Sequence, residues 1–135
     1  IASVTGSMSF DTFNDCNPRK PTPVLQIHGS IDAVVPYDGL LSIMKPVMEV
    51  MDYWKTANDC DEFVHTVPEI IAGESSWTEI YLFENCLNDT QNIHLKVQGA
   101  GHIWPGSTFE SIKDPDTSNQ IWEFFSRYDI NGVIQ

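Results

Sequence analysis

Pro23-Val24-Leu25-Gln26-Ile27-His28-Gly29-Ser30-Ile31-Asp32-Ala33-Val34-Val35-Pro36-Tyr37 is the stretch that decides the fold. Its first half is mainly apolar and β-branched and closes on a glycine, the pattern of a strand buried in a parallel sheet. Its second half puts a carboxylate, Asp32, in the loop at the strand's carboxyl end. Open α/β sheets place their ligands there. A later stretch repeats the arrangement: Ile93-His94-Leu95-Lys96-Val97 alternates apolar and polar as a strand does. Gly99-Ala100-Gly101-His102-Ile103-Trp104-Pro105-Gly106 then forms a loop whose glycines let the backbone turn tightly.

Working outward, Ile1 to Val4 reads as a short strand, and residues 8–23, rich in Asn, Asp and Pro, read as loop. Tyr37 to Trp54 carries apolar residues at three- and four-residue steps, so a helix is expected there, with Pro46 as an interruption or a turn start. Its methionine-rich stripe is expected to be core. Residues 57–91 mix strand-like runs (Phe63 to Val67, Ile80 to Phe83) with polar and turn residues, which suggests an excursion or a small antiparallel ribbon. Ser118 to Tyr128 is amphipathic and helical, with Asp116, Thr117 or Ser118 as the cap. The order of elements predicts an α/β class fold with parallel strands and flanking helices. Three parallel strands would leave an open edge, which points to further sequence.

With 135 residues, the chain is expected to form one domain, and its 41% hydrophobic and 11% aromatic content is that of a globular protein. Seven Lys and Arg stand against 19 Asp and Glu, a net charge of −12, which argues against nucleic acid or an anionic membrane as partner. No apolar run approaches the roughly 20 residues of a bilayer span. The chain opens on Ile1-Ala2-Ser3-Val4, the inside of a strand, without signal peptide or initiator Met, so a mature or excised product is expected. Of the cysteines, Cys60 and Cys86 sit in turn-like settings either side of a polar segment and are expected to pair, implying an oxidising compartment. The alternative is three unrelated thiols. Cys16 would be free or paired outside this sequence.

Asp32 and His102, on neighbouring loop tips, can form a hydrogen-bonded pair in which the carboxylate fixes the imidazole tautomer and stabilises the imidazolium. Taken singly, Asp32 could merely cap a turn, as could Asp38, and His102 could be an idle loop residue. A metal held by His28, Asp32 and His102 has compatible ligand types, but no HExxH-type spacing accompanies it. His65 and His94 lie in strand-like runs and read as surface or packing residues. Asn88-Asp89-Thr90 is a formal glycosylation sequon.

His28-Gly29-Ser30-Ile31-Asp32-Ala33-Val34-Val35-Pro36-Tyr37-Asp38-Gly39 is similar to the acid-bearing segment of the polyhydroxybutyrate depolymerase and feruloyl esterase-like branch of the α/β hydrolases. Gly101-His102-Ile103-Trp104-Pro105-Gly106 resembles that branch's histidine segment. The opening Ala2 to Met8 resembles the strand after the nucleophile helix, and Tyr53 to Cys60 the helix and cysteine after the acid. The resemblance implies that Asp32 is the triad acid, that His102 is the general base and later acid, and that Trp104 shapes a substrate pocket. It implies a structural role for His28, supporting the acid loop, and possible partner roles for Ser30 and Tyr37. That family's nucleophile lies in Gly-x-Ser-x-Gly, which occurs nowhere in this sequence; the serines after glycine, Ser7, Ser30 and Ser107, lack the second glycine.

The chain is therefore expected to be the C-terminal portion of one α/β-hydrolase domain, residues 1–135, with the nucleophile and oxyanion-hole donors upstream. The expected function is that of a secreted or periplasmic serine carboxylic-ester hydrolase, acting on plant-polysaccharide, aryl or polyester esters with no metal or organic cofactor. Its partner would be the N-terminal portion of the same protein, and this chain alone is expected to be inactive. The competing expectation is a non-catalytic binding or structural domain of hydrolase ancestry.

Overall fold

A computed structural model describes every residue except 71, 130, 131 and 135. Five strands form one sheet: β1 (Ala2–Val4), β2 (Val24–Gly29), β3 (Glu62–Thr66), β4 (Trp77–Glu84) and β5 (Asn92–Gln98), in the order β1-β2-β5-β4-β3. β1, β2 and β5 are parallel, while β4 runs antiparallel to both β5 and β3. Among the described residues three α-helices accompany them, α1 (Phe10–Asp15), α2 (Val47–Ala57) and α3 (Thr117–Phe125), with a 3-10 turn over Leu87–Asp89. A short hairpin of β6 (Tyr128–Asp129) and β7 (Gly132–Val133) follows. The fold is of the α/β class, with parallel strands and flanking helices as expected and with β4 and β3 making the sheet a mixed one. The strand-like runs of residues 57–91 form a β3–β4 hairpin that continues the main sheet through β4 and β5, so they are a ribbon and not an excursion.

Successive side chains on a strand point to opposite faces, and the two faces here have different chemistry. On one face, Leu25, Ile27, Leu95 and Val97 pack with Phe124 of α3. On the other, Val24 and Phe83 pack beneath Val50, Met51 and Trp54 of α2 and the Cys60–Cys86 disulfide. Burying side chains of this size stabilises by about 1.5–3 kcal/mol each. The second face turns polar toward the carboxyl ends of the parallel strands. There Gln26, His94, Tyr81 and His65 lie side by side across β2, β5, β4 and β3.

Two local expectations are corrected. The helix expected from Tyr37 begins only at Val47, because Gly39 and Ser42 take positive φ values of 78° and 60° and Pro46 stands at the cap. Leu41, read as part of the apolar stripe, is 93% exposed. The segment read as loop contains α1, whose start is capped by Ser9: its Oγ accepts the Thr12 N–H at 3.1 Å. The last helix ends three residues before the expected Tyr128 and is capped by Asp116, one of the expected candidates.

The disulfide joins the segment after α2 to the segment after β4 as expected, and Cys16 has no disulfide partner among the described residues. Beside it, the fully buried Asn58 donates to the Thr22 carbonyl and to Asn92 Oδ1, and accepts the Thr22 N–H. This bonding ties the entry to β2 to the end of α2. No described helix is long and apolar enough to cross a membrane.

Candidate active site

Parallel β2 and β5 lie side by side, so the loops leaving their carboxyl ends are neighbours. Hydrogen bonds stitch the loops together. The N–H groups of Ser30 and Ile31 donate to the carbonyls of Val97 and Ala100, each at 3.0 Å, and the Gly99 N–H donates to Ser30 Oγ at 3.0 Å. Gly29 sits under this crossing, where any Cβ would overlap the carbonyl oxygens of Ala100 and Gly101. Gly99 and Gly106 take positive φ values of 77° and 80°, a conformation that favours glycine. The glycines flanking His102 are thus required by backbone geometry and contact, except Gly101, whose Cβ direction is open.

This crossing brings His102 Nδ1 to 2.9 Å from Asp32 Oδ2. Asp32 Oδ1 accepts the N–H groups of Val34 and Val35, both at 2.8 Å. Burial of the Asp32 side chain works to raise its pKa; the Val35, His102 and Val34 hydrogen bonds together outweigh that and hold it below the usual carboxylate value. Asp32 is therefore ionised at neutral pH and accepts from an Nδ1–H. That tautomer leaves the His102 Nε2 lone pair free, on a side chain 40% exposed beside a fully covered carboxylate. Chemically, such a pair can remove a proton from an incoming hydroxyl and return it to a leaving group.

The other residues singled out in the sequence divide clearly. His28, fully buried, donates from Nε2 to the Val35 carbonyl at 2.9 Å and lies 3.5 Å from Asp32 Oδ2. Because that N–H is committed, Nε2 offers no lone pair to a metal, and among the described residues no group of three or more His, Cys, Asp or Glu could hold one. Trp104 is 44% exposed and donates from Nε1 to Ser118 Oγ, at 3.3 Å, which anchors the loop after His102 to α3. His65 reaches Glu79 Oε2 at 3.0 Å, away from the pair. Burial pushes the Glu79 pKa up, but bonds from Gln98, Tyr81, His65 and Trp77 prevail and hold it at about 2. A carboxylate so fully supplied with donors is a structural tie across β3, β4 and β5.

Sequence reasoning gave no role to Gln26 and read His94 as a surface or packing residue; both are buried under the loop that carries Asp32. Tyr37 OH donates to His94 Nε2 at 2.8 Å, and His94 Nδ1–H donates to the Gln26 carbonyl at 3.1 Å. The available signal was that Gln26 interrupts the apolar run of β2, while His94 sits at one of the polar positions of the alternating strand β5.

No family model matches the chain. Two curated relatives do. The esterase-named NocK of Nocardia uniformis subsp. tsuyamanensis is 29% identical over an alignment covering 81% of this chain and 36% of the relative. The bifunctional acetylxylan esterase/xylanase XynS20E of Neocallimastix patriciarum is 24% identical, covering 99% of this chain and 18% of the relative. The chain spans well under half the length of either.

Proposed function

We propose that this chain is the acid- and base-bearing C-terminal portion of a serine carboxylic-ester hydrolase of the α/β-hydrolase fold. The observation that carries this reading is the 2.9 Å contact between His102 Nδ1 and the buried Asp32 carboxylate, at the carboxyl ends of two parallel strands. Resemblance to two relatives named as esterases supports it independently. The nucleophilic serine comes from sequence preceding Ile1.

In the proposed reaction His102 Nε2 takes the serine proton as Oγ attacks the ester carbonyl. The imidazolium, stabilised by Asp32, then protonates the departing alkoxide as the carbonyl carbon–oxygen bond breaks. The acyl-enzyme is hydrolysed by water through the same proton transfers, releasing the carboxylic acid. In this reading Trp104, two residues after His102, shapes the acyl or leaving-group side of the pocket. The substrates are acetyl or feruloyl esters of plant polysaccharide, other aryl esters, or short polyesters. The disulfide supports a secreted or periplasmic location.

The test uses the complete polypeptide with p-nitrophenyl acetate, methyl ferulate and polyhydroxybutyrate as competing substrates. His102→Ala is expected to lower kcat/KM by more than about a thousandfold on whichever is preferred. Near-wild-type turnover by that variant, with the fold intact, refutes the assignment.

A further inference from the structure

The loop that carries Asp32 has little apolar anchorage of its own: Ile31 and Val34 are 66% and 65% exposed. Polar groups beneath it do the holding. Val35 links both sides, its N–H on Asp32 Oδ1 at 2.8 Å and its carbonyl on His28 Nε2 at 2.9 Å. Two residues on, the Tyr37 carbonyl accepts the Val47 N–H at 2.9 Å, and the Tyr37 hydroxyl donates to His94 Nε2 at 2.8 Å.

Both histidines are set by one residue. The Gln26 side-chain amide donates to His28 Nδ1 at 3.1 Å and to the Gly6 carbonyl at 2.9 Å. The Gln26 main-chain carbonyl accepts from His94 Nδ1 at 3.1 Å. His28 is thereby fixed with its proton on Nε2, facing Val35, and His94 with its proton on Nδ1, leaving Nε2 to accept from Tyr37. All three side chains are at least 96% buried, with Gln26 at 4% exposure and both histidines at 0%. Water cannot replace a lost partner at such depth, so the bonds are expected to act together.

We infer that Gln26, His94 and Tyr37 are positioning residues for the Asp32–His102 pair, acting through the Val35–Tyr37 loop. Its kinetic consequence rests on the hydrolase reading; its structural consequence does not. Tyr37→Phe removes one hydroxyl, and Gln26→Met removes the amide donor to His28 while keeping the main-chain carbonyl. Tyr53→Phe is the control: it loses a comparable bond, to the Cys16 carbonyl at 2.8 Å, off this network.

In the complete polypeptide, Tyr37→Phe and Gln26→Met are expected to lower kcat on p-nitrophenyl acetate about tenfold with KM within about twofold, while Tyr53→Phe changes neither. In nitrogen-15-labelled chain, the His102 Nδ1 proton signal is expected to weaken through solvent exchange in the two network variants and to persist in Tyr53→Phe. The inference is overturned if both network variants keep the signal and a kcat within twofold of wild type. Equal losses in Tyr53→Phe overturn it too, since they would reflect general destabilisation. Should His102→Ala prove active, the hydrolase reading fails, and the Nδ1 signal alone still decides the positioning role.

Discussion

His94 makes the stability of this protein depend on pH in a range where surface carboxylates contribute little. Its imidazole is fully buried on β5. Burial is the main cause holding its pKa at about 3, aided by His28 and Lys96 and opposed by the Gln26 carbonyl and Glu79. An unfolded histidine titrates near 6.5. Since the folded value is the lower one, the unfolded chain binds the extra proton between these values, and stability falls as pH falls from about 6.5 toward 3. From pH 7 to pH 5 the unfolded state gains about 2 kcal/mol from this one group, and the folded state almost nothing. Urea unfolding at the two pH values, followed by tryptophan fluorescence, measures the change. His94→Gln can keep one bond to Tyr37 or Gln26 and has no titrating ring, so its pH dependence should be smaller by that amount. The other titrating groups cancel in the comparison. Equal pH dependence in wild type and variant would refute the reasoning.

Two further predictions follow from the site and the disulfide. Gly29→Ala forces a Cβ into the Ala100 and Gly101 carbonyls, so it should cost about 1–3 kcal/mol in urea unfolding and at least about a hundredfold in kcat by displacing His102; Gly101→Ala, where a Cβ meets nothing within 4 Å, should change stability by less than about 0.5 kcal/mol. Reducing Cys60–Cys86, which closes a loop with a sequence separation of 26, should cost about 3.5 kcal/mol on the chain-entropy scale, read as a lower denaturant midpoint in dithiothreitol; an unchanged midpoint would show that the crosslink does not constrain the unfolded chain.

The elements legible in the sequence were those whose pattern is set by burial. β2 is a mainly apolar run closing on Gly29, β5 alternates apolar and polar residues up to Gln98 with Gly99 just beyond, and each delivers its loop residue where an α/β sheet presents ligands. The Cys60–Cys86 pairing was legible from its turn settings. The helix over Tyr37–Trp54 was over-read because Leu40, Leu41, Ile43 and Met44 have helical spacing, yet Gly39, Ser42 and Pro46 impose turns that spacing alone does not reveal. α1 was hidden by its Asn and Asp content, which Ser9 offsets locally by capping. The β3–β4 hairpin was legible only as one of two alternatives, an excursion or a small antiparallel ribbon, because β3 is exposed along its whole length and burial sets no pattern there to decide between them. The polar layer under the acid loop was least legible: Gln26, His28 and His94 meet only through the register of β2 with β5. That register is a tertiary fact.

Asp32→Asn tests the central claim most directly, because it keeps the size of the side chain and removes the charge that orients His102. The neutral amide can present its NH₂ to Nδ1, favouring the tautomer in which Nε2 carries the proton and cannot act as base. In the complete polypeptide, with folding verified, kcat on the preferred ester should fall by roughly a thousandfold to ten-thousandfold with little change in KM. A kcat within tenfold of wild type would contradict the account.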